Sequence, residues 1–269
     1  MTYHFTHNKA MTLAALFHDL GTPCFSHCID YLLGDAINQE SSEKSICEVI
    51  DNSNEIKKYL EFDEVSIDEL DDISKFTIVE NKKPKLCVDR LDGVLSTCFI
   101  WIKTISLDEI KEIYNDMEVL TNEENELEIG FKSKEIAEKF FKCSYDYSIA
   151  LQKNEDKFMM QFIADMLKKL IDNKKIKLQD LYELKEKDIV KILSQYQNWN
   201  IFSELDGIDR SDIMPNCYYT SVMAKKRYTN PLCGNNRITN ISNKCAEMLK
   251  DYENFEDTKY AYSKKIKNL

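Results

Sequence analysis

The sequence predicts an all-α fold with a few short β-strands in a C-terminal lobe. Three observations favour it. Only six glycines and four prolines occur among 269 residues, so few turns are expected. Apolar residues recur at helical spacing in several segments, and helix-start patterns precede several of them. Hydrophobic residues make up 43 % of the chain, which is enough for a sizeable core.

The predicted helices follow one another along most of the chain. The apolar face of the first one carries Leu13, Leu16, Phe17 and Leu20. Three later segments have the capping-box pattern of a helix start: Ser66-x-x-Glu69, Ser106-x-x-Glu109 and Asp180-x-x-Glu183. The clearest amphipathic helix lies in residues 156–171, with an apolar stripe at helical spacing: Phe158, Phe162, Ile163, Met166, Leu167 and Leu170. This stripe predicts a helix packed in the core.

Two segments in the C-terminal half predict short strands. Residues 125–131 indicate a strand that ends at Gly130, and residues 217–228 are rich in strand-forming residues before Pro231 breaks the pattern. The acidic region at 115–128 is the best candidate for a boundary. We therefore expect an N-terminal core over residues 1–114 and a mostly helical lobe over residues 115–269, packed on that core.

Composition and charge exclude several classes of protein. The formal net charge of −11 disfavours DNA or RNA as a bulk partner. The longest apolar runs are too short to span a bilayer, and no secretory signal follows Met1. Nine scattered cysteines favour reduced thiols and a cytoplasmic location. The sequence is compatible with a homo-oligomer, although it encodes no interface that can be read.

His18 and Asp19 stand at the end of the first predicted helix, where Gly21 and Pro23 turn the chain. Neighbouring helix residues point about 100° apart, so both side chains can reach one cation only where the backbone turns away. An imidazole beside a carboxylate suits a divalent transition metal. A structural histidine beside a polar helix end is the commoner explanation of such a pair, so the doublet alone does not decide.

Asp89 lies in a second predicted helix whose other residues are largely apolar. A carboxylate in such a helix is costly unless it is paired or bound to a metal. By spacing alone, a salt bridge with the neighbouring Arg90 is the better explanation.

A cluster of three cations, Lys225 to Arg227, lies near the end of the second predicted strand segment. These residues could clamp a phosphate, contact a second subunit, or protect an edge strand against aggregation. We favour the protective role slightly for Lys226 and leave Arg227 open as a substrate-binding residue.

Two segments in order, LAALFHDLGTPCFSHCID and then VDRLDGVL, resemble the HD-domain phosphohydrolase superfamily and are most similar to its deoxynucleoside triphosphate triphosphohydrolase branch. The resemblance covers roughly the first hundred residues. It implies an all-α HD-domain fold and one bound divalent metal ion, which could be Mn, Fe, Ni, Zn or Mg. His18 and Asp19 match the HD doublet of the metal site, and Asp89 matches its distant aspartate.

The same resemblance implies roles for three further residues. His27 ends the F-S-H motif near the substrate phosphates, and Glu40 occupies the place of a glutamate that helps to activate water; both are candidate catalytic residues. Arg90 matches a basic residue that contacts phosphate. The resemblance thus implies a divalent-metal-dependent phosphohydrolase acting on a nucleotide, with a deoxynucleoside triphosphate as a candidate substrate.

The sequence also departs from the family pattern. Thr22 and Gln39 stand where the family has histidines, and Gly93 stands where it has a tyrosine. The first metal-ligand histidine of the family belongs to a helix well upstream of the doublet, whereas this chain begins 17 residues before His18. An N-terminally truncated chain would explain that difference. The alternative function is therefore a catalytically inactive HD-fold protein that binds nucleotide or acts as a scaffold.

Overall fold

A computed structural model of the protein describes residues 1–34, 46–70, 72–220 and 222–267. It is mostly helical, with 55 % helix, 14 helices and two small sheets. The prediction of a largely helical chain is therefore confirmed, but the chain is not purely all-α. All seven described strands lie after residue 116, in the half of the chain where strands were predicted. Within the described residues, no helix is both long and apolar enough to cross a bilayer.

The chain divides into two compact units, and each unit is assembled from three segments. Unit 1 comprises Met1–Leu20, Ser45–Ala150 and Lys226–Phe255. Unit 2 comprises Gly21–Lys44, Leu151–Lys225 and Glu256–Leu269. Residues 1–114 and 115–269 each contribute to both units, so the compact units follow a different division of the chain from the predicted domains.

Unit 1 contains most of the helices, numbered here in chain order along the whole chain: α1 (Thr2–Thr6), α2 (Lys9–Phe17), α4 (Ile46–Asp51), α5 (Asn54–Asp63), α6 (Val88–Thr97), α7 (Leu107–Asp116), α13 (Ile238–Ile241), α14 (Asn243–Asn254) and all but the end of α8 (Lys134–Gln152). Two short 3₁₀ turns (Ile67–Glu69 and Ile73–Lys75) precede α6, and a π-helical turn (Cys98–Ile102) follows it.

Unit 1 also holds a four-stranded sheet: β1 (Met117–Thr121), β2 (Leu127–Phe131), β5 (Leu232–Cys233) and β6 (Asn236–Arg237). β1 and β2 form an antiparallel hairpin, β5 pairs in parallel with β2, and β6 pairs antiparallel with β5. The predicted strand at 125–131 is confirmed, although it ends one residue later than Gly130, at Phe131. The acidic segment proposed as a boundary forms β1 and the hairpin turn.

Unit 2 is built around α9 (Asn154–Asp172), with α3 (Ser26–Leu32), α10 (Asp180–Glu183), α11 (Glu186–Leu193), α12 (Gln197–Ser203) and a sheet of β3 (Asp209–Ser211), β7 (Tyr260–Tyr262) and β4 (Tyr219–Thr220). The amphipathic prediction for α9 is confirmed, because its stripe packs in the core of this unit. Of the residues that the structure describes in the segment 217–228, which leave out residue 221, only the two of β4 form a strand.

Local capping explains where several helices begin. The predicted capping boxes at Ser66 and Ser106 both form, with the Glu69 and Glu109 carboxylates accepting from the serine N–H groups. The box predicted at Asp180 is wrong. Its carboxylate accepts from the Lys177 N–H before the helix, so it closes the preceding turn and does not cap α10.

The first predicted helix is α2, and three of the four residues on its predicted apolar face pack on a small core around Ala14 and Leu60. The fourth, Leu16, is 70 % exposed, so the prediction that it belongs to the packed face is wrong. Helical periodicity identifies a stripe of side chains, but it does not say how far around the helix the neighbouring elements reach.

Candidate metal centre

The His18–Asp19 doublet lies where α2 ends. The helix ends at Phe17, His18 occupies its C-cap, and the Leu20 N–H donates to the Phe17 carbonyl at 2.9 Å to close the last turn. At the other end of the helix, the Asn8 side chain accepts from the Met11 N–H at 2.9 Å. The helix is thus fixed at both ends. His18 and Asp19 lie where the backbone changes direction, as the sequence predicts.

Asp89 is the second residue of α6, which begins after the N-cap Cys87. The start of this helix is held by backbone hydrogen bonds, because Val88 N–H donates to Ile78 O at 2.8 Å and Asp89 N–H donates to Val79 O at 3.3 Å. The Asp89 side chain is 40 % exposed and contacts His18, so the cost of placing it in an apolar helix is lower than the sequence suggests.

His18, Asp19 and Asp89 come together in unit 1. His18 Nε2 lies 3.2 Å from Asp19 Oδ2 and 3.1 Å from Asp89 Oδ1. Two ligands bound about 2.0–2.2 Å from one ion at angles between 90° and tetrahedral lie about 3.0–3.4 Å apart. Each of these two distances fits a pair of ligands on one cation as well as it fits a hydrogen bond, but the three donor atoms do not all lie within 4.8 Å of one another, so the two carboxylates would have to move closer together to share an ion.

The other ring nitrogen of His18 determines what the first one can do. Nδ1 lies 2.8 Å from the Ala15 carbonyl oxygen, which can only accept, so we assign the Nδ1–H donor to this contact. In the neutral ring, Nε2 then carries a lone pair and faces two carboxylate oxygens. Three electron-rich atoms in such an arrangement need a cation between them, either a proton or a metal ion. A backbone carbonyl on the second nitrogen is the usual support of a metal-binding histidine.

In the absence of a metal, a proton satisfies this arrangement. Hydrogen bonds to Asp19 and then to Asp89 raise the pKa of His18 to about 11, although partial burial of the ring opposes the increase. The imidazolium then pairs with both carboxylates. One nitrogen and two oxygen donors form a set that suits a divalent transition metal in chemical type, but the two carboxylates are arranged around the protonated imidazole and not around a common ion.

Arg90 does not pair with Asp89, although spacing alone favours that salt bridge. Its guanidinium donates to the Glu80 carboxylate, to the Asn81 side chain and to the backbone carbonyls of Asn81 and Lys85. The side chain is only 12 % exposed. Arg90 therefore holds the segment that leads into α6, and its contact with substrate stays a prediction.

A second group of potential ligands shares Asp89. Glu80, Cys87 and Asp89 each offer one ligand atom, and these atoms lie within 4.8 Å of one another. Glu80 is already bound to Arg90, and burial raises the pKa of the Cys87 thiol to about 11. Sequence reasoning did not select Glu80 or Cys87, because neither stands at a recognisable ligand spacing from Asp89. This group is a weaker candidate for a metal site, because the Glu80 carboxylate is paired with Arg90 and the Cys87 thiol stays protonated.

A cleft of about 410 Å³ adjoins the centre within unit 1. His18 and Asp89 line it together with Leu16, Val88 and Asp92. A substrate bound in this cleft would contact two of the three candidate ligands directly. The cleft is thus the natural place for a ligand of the centre.

The remaining predicted site residues lie elsewhere or outside the described residues. His27 is an exposed residue of α3 in unit 2. Arg227 is half-buried in unit 1, where its backbone N–H donates to the Tyr252 hydroxyl at 2.8 Å. Glu40 lies outside the described residues. The roles of all three stay predictions.

Comparison with protein-family models, with curated proteins and with solved structures finds no match for this chain. The geometry of the centre and the sequence motifs are therefore what indicates a function.

Proposed function

We propose that the chain is a divalent-metal-dependent phosphohydrolase of the HD-domain type that acts on a small phosphorylated substrate, with a nucleotide as the class that the motifs favour. One observation carries the proposal. His18 Nε2, with Nδ1 assigned as a donor to a backbone carbonyl, faces one oxygen of Asp19 and one of Asp89 at 3.1–3.2 Å. The two motifs that resemble the superfamily supply these three residues.

The chain's own residues would share the work as follows. His18, Asp19 and Asp89 would hold the metal, and three protein ligands would leave coordination positions for water and substrate. When bound, a divalent metal supplies a water of lowered pKa and neutralises charge on phosphoryl oxygens. The Ala15 carbonyl fixes the tautomer of His18, and the first turn of α6 orients Asp89.

Further roles follow the family resemblance. We assign catalytic roles to His27 and Glu40 and substrate contacts to Arg90 and Arg227. A deoxynucleoside triphosphate is the substrate that the branch resemblance suggests. The nine cysteines are all free thiols, which fits the reducing cytoplasm.

The second candidate is an inactive HD-fold protein that binds nucleotide or serves as a scaffold. Two observations favour it. The His18 imidazolium paired with two carboxylates is complete without a metal, and Arg90, a family phosphate contact, is committed to its own loop. The replacements at Thr22, Gln39 and Gly93 point in the same direction.

Metal binding by matched variants tests the proposal. Asp89 and Asp108 are both the second residue of their helices, α6 and α7, but only Asp89 lies in the centre. We expect the wild-type chain and Asp108→Asn to bind about one equivalent of Mn²⁺ or Zn²⁺ and to hydrolyse a nucleotide. Asp89→Asn should bind the ion at least tenfold more weakly.

The outcomes separate the two candidates. Equal ion binding by all three proteins, or none by the wild type, would exclude the proposed centre. Stoichiometric binding that depends on Asp89, without turnover of any nucleotide or phosphate ester, would favour the inactive fold. Circular dichroism of each variant shows whether the fold is intact.

A further inference from the structure

Two cysteines of unit 1 are in direct contact, and the proposed metal centre uses neither of them. Cys98 is the first residue of the π-helical turn after α6, and Cys143 lies in α8. The Cys98 thiol donates to the Cys143 carbonyl oxygen at 3.2 Å, and the two thiols also share a hydrogen bond. Both residues are almost fully buried. The fold therefore brings together two sulfur atoms that are 45 positions apart in the sequence.

Cys245 shows that burial alone does not bring thiols together. It belongs to the same core as Cys98 and Cys143 and is buried to the same extent. Burial raises the pKa of the Cys245 thiol, and the neighbouring side chains that also act on it include no cysteine. Cys245 is therefore a matched control for the contact between the other two thiols.

The contact gives the two thiols different chemical properties. The hydrogen bond from the Cys143 thiol lowers the pKa of Cys98; burial opposes this change, and a hydrogen bond from the Thr104 hydroxyl adds to it. The same contact raises the pKa of Cys143, so that thiol keeps its proton. The thiolate is the form that attacks an oxidant. Cys98 is therefore the attacking sulfur of the pair, and Cys143 is the thiol that can react with the product.

The Cys98 sulfur lies close to the surface although the residue itself is buried. Thr104, whose side chain contacts that sulfur, is an exposed residue. The π-helical turn between them is exposed as well, with 43 % of Phe99, 69 % of Ile100 and 52 % of Trp101 accessible. The sulfur thus contacts a residue that solvent reaches. A small uncharged oxidant can enter through a local opening of this turn, whereas a bulky one is excluded.

We infer that Cys98 and Cys143 form a reversible disulfide when hydrogen peroxide reaches them, so that the π-helical turn becomes covalently joined to α8. The Cys98 thiolate attacks one oxygen of the peroxide and the O–O bond breaks, which gives a sulfenic acid and a hydroxide that takes up the proton lost by Cys98. The Cys143 sulfur then attacks the Cys98 sulfur, the S–O bond breaks, and the hydroxyl leaves as water with the Cys143 proton. The two thiols lose two electrons, and the peroxide becomes two molecules of water. A dithiol reductant reverses the reaction by thiol–disulfide exchange.

Peptide mapping of the full chain after limited oxidation tests the inference. The folded protein is exposed to one equivalent of hydrogen peroxide, unfolded in the presence of iodoacetamide, digested and analysed by mass spectrometry. We expect a cross-linked peptide that contains residues 98 and 143, about 2 Da lighter than the two reduced peptides together because two hydrogens are lost. The other seven of the nine cysteines should be alkylated, and dithiothreitol added before the iodoacetamide should restore both thiols.

Three variants assign the roles of the two thiols. Cys143→Ser keeps a hydroxyl donor beside Cys98 but removes the second thiol, so Cys98 should accumulate as a sulfenic acid that dimedone labels at least tenfold more than Cys245. Cys98→Ser should leave Cys143 reduced, because the attacking sulfur is gone. Cys245→Ser should form the disulfide as the wild type does. Circular dichroism shows whether each variant is folded.

The folded state brings the two thiols together, so the same oxidation of the urea-unfolded chain should give several disulfides in place of this one. Absence of the cross-link between residues 98 and 143 from the folded wild type would overturn the inference, as would a Cys98 that reacts no faster than Cys245. An identical set of disulfides in the folded and unfolded chains would overturn it too. No metal or substrate takes part, so the result is independent of the proposed function.

Discussion

A buried ion pair joins the hairpin of unit 1 to β6 and to the segment before α6. Glu128 is fully buried, and its two oxygens accept from Arg237 Nη1 at 2.6 Å and from Nη2 at 2.9 Å. The Leu86 N–H also donates to Glu128, at 2.9 Å. Arg237 binds a second carboxylate, that of Glu123, whose side chain is 58 % exposed. The two glutamates share one partner and differ in burial.

Replacing Glu128 with alanine should be strongly destabilising. Removing one partner of a buried pair costs about 3–5 kcal/mol, because the other charge stays in a poorly solvated site. The Leu86 N–H loses its acceptor as well, which costs about 1–3 kcal/mol and overlaps with the first figure. Arg237 keeps Glu123, which reduces the loss, so we expect about 4 kcal/mol in the free energy of unfolding. Glu123→Ala should cost less than about 1 kcal/mol, because an exposed pair contributes little.

Urea unfolding followed by tryptophan fluorescence measures both variants. The chain has two tryptophans, Trp101 in unit 1 and Trp199 in unit 2. In a Trp199→Phe background, Trp101 therefore reports on unit 1 alone. If Glu128→Ala costs less than about 1.5 kcal/mol, or no more than Glu123→Ala, the argument from burial is refuted.

Replacing each of two glycines with alanine should change the free energy of unfolding in opposite directions. A Cβ at Gly130 would lie 2.9 Å from the Leu232 carbonyl oxygen on β5, so Gly130→Ala should lower the free energy of unfolding by about 1–3 kcal/mol in urea unfolding. Nothing lies within 4 Å of a Cβ at Gly93 in α6, so Gly93→Ala should raise the free energy of unfolding by about 0.5–1 kcal/mol. Burial raises the pKa of Asp156 to about 6, above its unfolded value, so the stability that its protonated form contributes is present at low pH and lost as pH rises through 6. Asp156→Asn should match the wild type in thermal unfolding at pH 3.5 and exceed it by about 1–2 kcal/mol at pH 7.5.

Local sequence signals predicted the helices well where a single apolar face of the helix packs in the core. The stripe of α9 and the boxes at Ser66 and Ser106 depend on contacts between residues a few positions apart, so spacing is sufficient evidence. Leu16 shows the limit of this reasoning. It has the spacing of a packed residue, but whether it is covered depends on residues 79–92, which are distant in sequence.

The strands and the centre depend on long-range contacts, and their prediction was less complete. The sequence predicted β2, whereas the segment of β1 was interpreted as a domain boundary. Strand formation depends on the partner strand more than on local preference, so β1 could not be recognised from its own residues. His18, Asp19 and Asp89 were predicted together from motifs, and they lie together. Glu80 was missed because the turn that brings it to Asp89 is held by Arg90 and by backbone hydrogen bonds, which leave no spacing pattern.

The parallel pairing of β2 with β5 has a consequence for synthesis on the ribosome. Gly130 pairs with Leu232, and all of residues 151–225, which belong to unit 2, are translated between them. During that interval β2 has β1 on one edge and nothing on the other, and an unpaired strand edge is a template for aggregation. The four-stranded sheet of unit 1 therefore cannot be completed until all of residues 151–225 have been translated, so the unpaired edge of β2 persists for longer than it would in a sheet of consecutive strands.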